Sequence, residues 1–315
     1  GMSKWAVVAC DQYTGEPEYW EKVREIVGRA PSALDLILPE AYLDEPNCEE
    51  HIAKIHENMT NYLKNDLFNV YNDCFILTTR TQADGRLRVG LVGAIDLEMY
   101  DYNKGSKSQV RATEATVAER IPPRVKIRMN APLELPHIMI LIDDVQNTVI
   151  EPLLEKKLQT VYDFELMQNG GHLKGSVVDE DSAREVLAAL DKLADKNTFN
   201  RRYGLQNEDV LLYAMGDGNH SLATAKECYE QKKRTNSPDA ELARYALVEV
   251  VNLHSPALEF EAIHRVITEV DTDDLMCKMT NSLGLTEDGE QKFSVVLGDK
   301  TREFGITKPT SNLTV

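Results

Sequence analysis

Two ionisable side chains in a glycine-punctuated turn are the first candidates for chemistry. They are Asp217 and His220, in the run Gly216-Asp217-Gly218-Asn219-His220-Ser221. A carboxylate and an imidazole so placed can move protons or hold a cation, and an imidazole titrates near neutrality. The flanking residues say what presents them. Val210 to Met215 is an apolar run that reads as a buried strand, and Leu222, Ala225 and Tyr229 recur at helical spacing. The turn then lies at the carboxyl end of a strand, where open α/β sheets bind ligands. Gly216 and Gly218 allow close approach of the backbone to a ligand. The first N–H groups of the helix, from Ser221 onward, lack partners inside the helix, which suits phosphate. On this reading Asp217 and His220 are catalytic, and Gly216, Gly218, Asn219 and Ser221 bind phosphate. The same residues equally fit a capped strand–helix turn, with Asn219 or Ser221 as N-cap.

Three further stretches carry groups of the right kind. Lys104 to Arg128 holds seven basic residues against Glu114 and Glu119, a local excess of five in a chain of net charge −17. Such an island can gather an anion, or it can be a solvated face. Pro136 to Asp144 is an apolar strand ending in Asp143-Asp144, which can hold Mg²⁺ or cap the next helix. His264-Arg265 follows an alternating strand from Leu258 and can serve an anion site or be a surface pair. Glu40, at the end of the apolar run Leu34 to Leu38, is a further carboxylate, more simply read as solvated.

These groups must be held by a sizeable fold. The chain has 315 residues with 42% hydrophobic content, enough for one large or two medium domains. Its acidity repels nucleic acid and anionic membrane, so neither is expected as a main partner. No apolar run reaches membrane-spanning length, no signal peptide is visible, and Gly1 before Met2 reads as a tag remnant. Cys10, Cys48, Cys74, Cys228 and Cys277 are odd in number and widely spaced, which fits isolated thiols in a reducing cytoplasm. No metal-ligand spacing occurs among the histidines.

In order, the pattern predicts a strand at Trp5–Cys10, a helix from Pro17 to Val27 stopped by Gly28, a strand at 34–38 and an amphipathic helix from Asn47 to Asn65. A hairpin across Ala83-Asp84-Gly85 follows, with Gly90 and Gly93 marking a bulge or a close backbone approach. Further expectations are helices at 149–161, 180–196, 238–246 and 273–283, the last capped by Thr272. A strand is predicted at 247–253, and hairpins across Asn169-Gly170-Gly171 and between 293–297 and 302–306. Strands and helices alternate but hairpins recur, so the expected class is α/β to α+β with mixed sheets and flanking helices. Two subdomains, 1–132 and 133–315, are expected to meet near Asn130-Ala131-Pro132. There is no Rossmann or P-loop signature.

Asp217-Gly218-Asn219-His220-Ser221 resembles the Asp-Gly-His-His-Arg signature of a bacterial family, domain of unknown function one thousand and fifteen. Asn219 and Ser221 depart from it. Pro31 to Glu40 resembles the N-terminal region of that family. Arg111-Ala112-Thr113-Glu114-Ala115-Thr116 resembles its Arg-Pro-His-Glu-Lys-Thr stretch, with Thr113 for histidine. Glu259 to Val266 resembles its Pro-Thr-His-Arg stretch. The family runs longer at its C-terminus, which implies a shorter version here, and its turn is similar to the phosphate-binding turn of the ParB-like superfamily, which includes a free-serine kinase. The resemblance implies that Arg111 and Thr116 bind the ligand, with Arg111 holding phosphate or carboxylate, and that Glu114 acts as a base or magnesium ligand. His264 and Arg265 join the binding set. The expected function is binding of a phosphorylated small molecule or nucleotide by a cytoplasmic protein that is monomeric or oligomeric. Either it is a phosphotransferase using Mg²⁺ and nucleotide, or it is a regulatory binding module without turnover.

Overall fold

The computed structural model describes residues 1–8, 13, 15–42, 46–116, 119, 121–135, 138–259, 264–289, 291–307 and 309, with Glu40 described by its backbone alone. The chain forms two compact units, Gly1–Leu258 and Glu259–Val315. The segment 130–135, read above as a boundary, runs inside the first.

The first unit begins with helices α1 (Met2–Trp5), α2 (Pro17–Val27) and α3 (Cys48–Lys64). Gly28 ends α2 at φ 61, in the left-handed region that glycine enters without strain. Strands β1 (Ile76–Thr81) and β2 (Leu87–Asp96) form the expected hairpin. Short strands β3 (Tyr100–Asp101) and β4 (Val110–Arg111), helix α4 (Ile121–Arg128) and strand β5 (Met139–Ile142) follow. The hairpin of β6 (Gln159–Glu165) and β7 (His172–Val177) turns through the predicted Asn-Gly-Gly. Helices α5 (Glu180–Leu193) and α6 (Lys196–Tyr203), strand β8 (Tyr213–Asp217), helices α7 (Asn219–Arg234) and α8 (Ala240–Ala243) and strand β9 (Tyr245–Asn252) complete the unit.

All nine strands join one mixed sheet in the order β3-β4-β8-β5-β9-β2-β1-β7-β6. β4 runs parallel to β8, β8 antiparallel to β5, and β5 parallel to β9. Strands from either side of residue 132 are therefore interleaved in groups: β3-β4, then β8-β5-β9, then β2-β1, then β7-β6. Because side chains alternate along each strand, the sheet has two distinct faces. Leu77, Leu91, Ile140, Ile142, Met215 and Val248 are buried on one, together with Val186 of α5 and Leu222, Ala225 and Tyr229 of α7. Fully burying a side chain such as Ile140 or Ile142 contributes about 1.5–3 kcal/mol, so this face is the main core. The opposite face carries Thr78, Arg80, Arg88, Gly90 and Glu249. Smaller clusters centre on Trp20, Val23 and Val27, and on Leu36, Ile55 and Met59.

Four expected elements differ. Met2–Trp5 is helical where a strand was expected to begin at Trp5, and Ala9 to Gln12 lie outside the described residues. Ala33–Leu36 is a 3₁₀ turn, because the buried Ser32 accepts the Leu34 amide and starts a turn. At 149–161 a 3₁₀ turn, Glu151–Glu155, gives way to β6. Leu258 and Glu259 and residues 264–267 form no strand, and 260–263 lie outside the described residues.

The second unit holds α9 (Thr272–Leu283), β10 (Leu285–Thr286), β11 (Gln291–Leu297) and β12 (Lys300–Ile306), with sheet order β10-β12-β11. Asp271, one residue before the expected cap, accepts the Asp273 and Asp274 amides. A carboxylate at the N-cap also meets the positive end of the helix.

Candidate functional site

The glycine turn lies between β8 and α7. Gly218 is the residue before the helix, at φ 89, and Asp217 Oδ1 accepts its amide at 2.8 Å. A side chain there would be strained and would press on Ile138 at 3.3 Å. A Cβ on Gly216 would meet Leu141 at 3.0 Å. Gly218 thus answers to the turn geometry and to Ile138, just before β5, and Gly216 to close packing against Leu141 of β5. Gly216 and Asp217 are exposed, and His220 and Ser221 are half-buried. The first hydrogen bond across the start of α7 runs from the Leu222 amide to the Gly218 carbonyl at 3.0 Å.

β4 stands beside β8 in parallel register, Arg111 opposite Ala214, so the residues after β4 arrive at the turn. Thr113 Oγ1 donates to the Met215 carbonyl at 2.9 Å, and the Thr113 amide donates to Asn219 Oδ1 at 3.4 Å. Asn219 Nδ2 donates to Glu114 Oε1 at 3.4 Å. Asn219 is 6% exposed, which holds its amide in place. Glu114 and the turn, about a hundred residues apart in sequence, are therefore neighbours.

Arg111 is placed differently from the expectation. Its Nε donates to the Ser108 carbonyl at 2.6 Å, and Nη2 donates to the Asp209 and Val210 carbonyls at 2.9 and 3.4 Å. The guanidinium thus fastens the loop before β8, at the end of that strand away from Asp217. Thr116 Oγ1 is buried without a partner among the described residues. His264 and Arg265 are exposed and belong to the second unit.

Asp143 and Asp144 follow β5 at the end opposite Met139, the residue that pairs with Asp217. Asp144 is buried and accepts the Val149 amide at 2.8 Å and the Thr148 hydroxyl at 3.1 Å, so it caps a turn. Asp143 is engaged by Arg202 Nη2 at 2.8 Å, by His254 Nε2 at 2.6 Å and by the Tyr203 hydroxyl. Burial pushes the Asp143 carboxyl up, but Tyr203, His254 and Arg202 together bring it below the usual carboxylate range. No group of three or more His, Cys, Asp or Glu placed to hold a metal occurs among the described residues.

A cleft of about 480 Å³ lies elsewhere in the first unit, with Trp20, Leu34 and Ile55 among its buried lining residues and Arg24 and Lys54 more exposed. No residue of the glycine turn lines it. Both of those cations are paired, with Asp35 and Glu57.

Sequence reasoning passed over one constellation. Arg80 and Arg88 stand directly opposite each other across β1 and β2, and Glu249 of β9 reaches Arg88 at 3.0 Å and Thr78 Oγ1 at 3.2 Å. Its signal was an arginine on each arm of the hairpin, at matched distances from the turn. The glycine expected to mark a close approach, Gly90, is where the Glu249 carboxylate lies against the backbone.

The fold and the site define a mixed α/β protein with a glycine-rich strand–turn–helix beside which lies Glu114, from the segment after the neighbouring parallel strand. The family described as protein of unknown function (DUF1015) matches residues 2–314, and the chain belongs to it. No curated protein and no solved structure matches the chain. Thr113 and Asn219, two of the positions that depart from the family pattern, touch each other. Among the described residues no helix is long and apolar enough to cross a membrane.

Proposed function

We propose that the turn from Gly216 to Ser221, with Glu114 beside it, binds a phosphorylated small molecule or a nucleotide, and that the protein transfers a phosphoryl group to a small metabolite. The carrying observation is the meeting of Glu114 with the turn through Asn219. It sets a carboxylate beside Asp217 and His220 at the carboxyl ends of two adjacent parallel strands, a favoured place for ligands in open sheets. The positive end of α7 attracts an anion there. Phosphoryl transfer needs positioning and charge stabilisation more than covalent help from the protein. In this reading Glu114 or Asp217 holds Mg²⁺ or takes the proton of the accepting hydroxyl, and His220 faces the reacting oxygen. The similarity of the turn to the ParB-like superfamily supports the same ligand class.

A second reading, a nucleotide- or anion-binding regulatory module without turnover, is favoured by two observations. The Arg111 guanidinium is engaged by three carbonyls, and Ser221 stands where the family pattern has arginine.

Thermal unfolding of the full chain with a panel of nucleotides, with and without Mg²⁺, tests both readings, since a ligand that binds the folded state raises its stability. Stabilisation that is lost in His220→Asn, at an unchanged melting temperature of the free protein, supports the site. Nucleotide hydrolysis or transfer to a metabolite pool separates the enzyme from the binding module. No stabilisation by any nucleotide or sugar phosphate overturns the proposal.

A further inference from the structure

The polar face of the main sheet holds an unbalanced set of charges. Arg80 and Arg88 are opposite one another in the β1–β2 register and project to the same side. Like charges directly across a ladder repel. Among the described residues one carboxylate, Glu249, serves the pair, bonding Arg88 and acting on Arg80 through its charge. Among the described residues, two positive groups and one negative leave a single positive charge uncompensated. The site is sheltered, for the Arg88 and Glu249 side chains are each 18% exposed. Burial, followed by the charge of Arg88, lowers the Arg80 guanidinium from its ordinary value.

Donors are also left over. A guanidinium has five N–H donors. Among the described residues, Arg80 makes one hydrogen bond, Nη2 to the Gly170 carbonyl at 3.2 Å, and Arg88 makes one, Nη2 to Glu249 Oε2 at 3.0 Å. Among the described residues the Nε atoms of both are buried and unpartnered. Sheltered arginines usually satisfy their fork with carboxylates or carbonyls, because an unpaired buried donor is costly. Around them the surface is shaped by glycine and aromatic rings. Gly90 makes room for the Glu249 carboxylate, Gly175 makes room for the ring of Tyr162, and Tyr13 and Tyr19 lie close enough to act on the charge of Arg80.

We propose that Arg80 and Arg88, with Glu249 fixing Arg88, form a binding site for the carboxylate of a small organic acid. A carboxylate is favoured over a phosphate by charge, because one negative charge neutralises the set and two would overshoot. Its planar pair of oxygens matches the guanidinium fork. This site stands independently of the glycine turn, since none of its residues belongs to that turn or to the Thr113–Glu114 segment.

The test is thermal unfolding of the full chain titrated with acetate, succinate, benzoate and inorganic phosphate, each against chloride at equal ionic strength. A saturable rise in melting temperature with at least one carboxylate is expected, with inorganic phosphate weaker. The rise should vanish in Arg80→Gln and Arg88→Gln. Glu249→Gln keeps both arginines and removes the competing negative charge, so it should bind the carboxylate about tenfold more tightly. If the arginine variants fail to fold, Glu249→Gln decides the matter, and equal or weaker carboxylate binding there overturns the proposal. It is also overturned by the absence of any saturable carboxylate effect, by an effect that persists undiminished in both arginine variants, or by saturation with phosphate alone. Because His220→Asn leaves this site untouched, a carboxylate effect retained in that variant separates the two sites.

Discussion

Gly90→Ala gives a direct test of how the polar face of the sheet is packed. A Cβ at Gly90 would stand 2.1 Å from Glu249 Oε1 and 2.7 Å from its Cδ and Cγ. The glycine has no positive φ, so alanine brings no backbone strain and by itself favours the folded state by about 0.4–1 kcal/mol. The carboxylate is the end of a flexible chain, so the cost lies in the bonds it gives up on moving. These are the charged bond from Arg88 at 3.0 Å and the Thr78 hydroxyl bond at 3.2 Å. A charge-assisted bond is worth about 1.5–3 kcal/mol and a second, weaker one about 1 kcal/mol. Subtracting the alanine gain leaves an expected loss of about 1.5–3.5 kcal/mol. Urea unfolding followed by tryptophan fluorescence measures it cleanly, because the two tryptophans, Trp5 and Trp20, both lie in the first unit. In a Glu249→Ala background the same substitution should cost nothing or stabilise slightly, giving a coupling of about 2 kcal/mol or more. An equal loss in both backgrounds would show that the Gly90–Glu249 contact is not what the glycine is for.

Gly171→Ala should be more severe. Gly171 has φ 86 and its Cβ would fall 1.9 Å from the Thr81 carbonyl oxygen, a backbone atom that cannot step aside. A loss of about 3 kcal/mol or more is expected, read as a lower urea midpoint or loss of soluble protein. Asn252→Leu leaves Asp144, Asn147 and Glu151 short of the donors that the buried Asn252 side chain supplies, and should cost about 2–4 kcal/mol in the same assay. The folded pKa of Asp143 is depressed. Its contribution is therefore complete above the unfolded carboxylate pKa, about 4, and is lost as pH falls through the lower folded value. Asp143→Asn should thus flatten the fall in stability between about pH 5 and pH 3, and an unchanged slope by acid titration would refute this. Burial pushes the Cys228 thiol up to about 11, so iodoacetamide at mildly alkaline pH should label the exposed Cys277 and spare Cys228 until the protein unfolds, as peptide mass spectrometry would show.

Local chemistry made much of the fold legible. Asn169-Gly170-Gly171 and Ala83-Asp84-Gly85 demand positive φ or tight turns, and both hairpins formed there. The stripe of Leu222, Ala225 and Tyr229 announced the buried face of α7, because helical periodicity is a property of neighbours in sequence. The Gly216 to Ser221 turn was likewise visible, since glycine between an apolar run and a helical pattern has few other uses. What failed was also local. The apolar run at 34–38 and the segment 149–161 carry no periodicity that separates strand, 3₁₀ turn and helix, and capping by Ser32 decided the first.

The tertiary structure alone determined which distant groups meet. Parallel pairing of β4 with β8 brings Glu114 to Asn219, yet the same pairing turns Arg111 to carbonyls at the other end of β8. A side chain's charge is written in the sequence, but its direction depends on the register of the strand that carries it. Asp143 and Asp144, being adjacent at a strand end, fit either a Mg²⁺ pair or a capped turn from sequence. The fold sends one to cap a turn and the other to Arg202, Tyr203 and His254. Arg80, Arg88 and Glu249 became a set only when β9 was laid beside β2. Composition states how many charges a chain carries. Only the order of strands in a sheet says which of them must share a face, because that order is set by side-chain packing summed over the whole core rather than by any one segment.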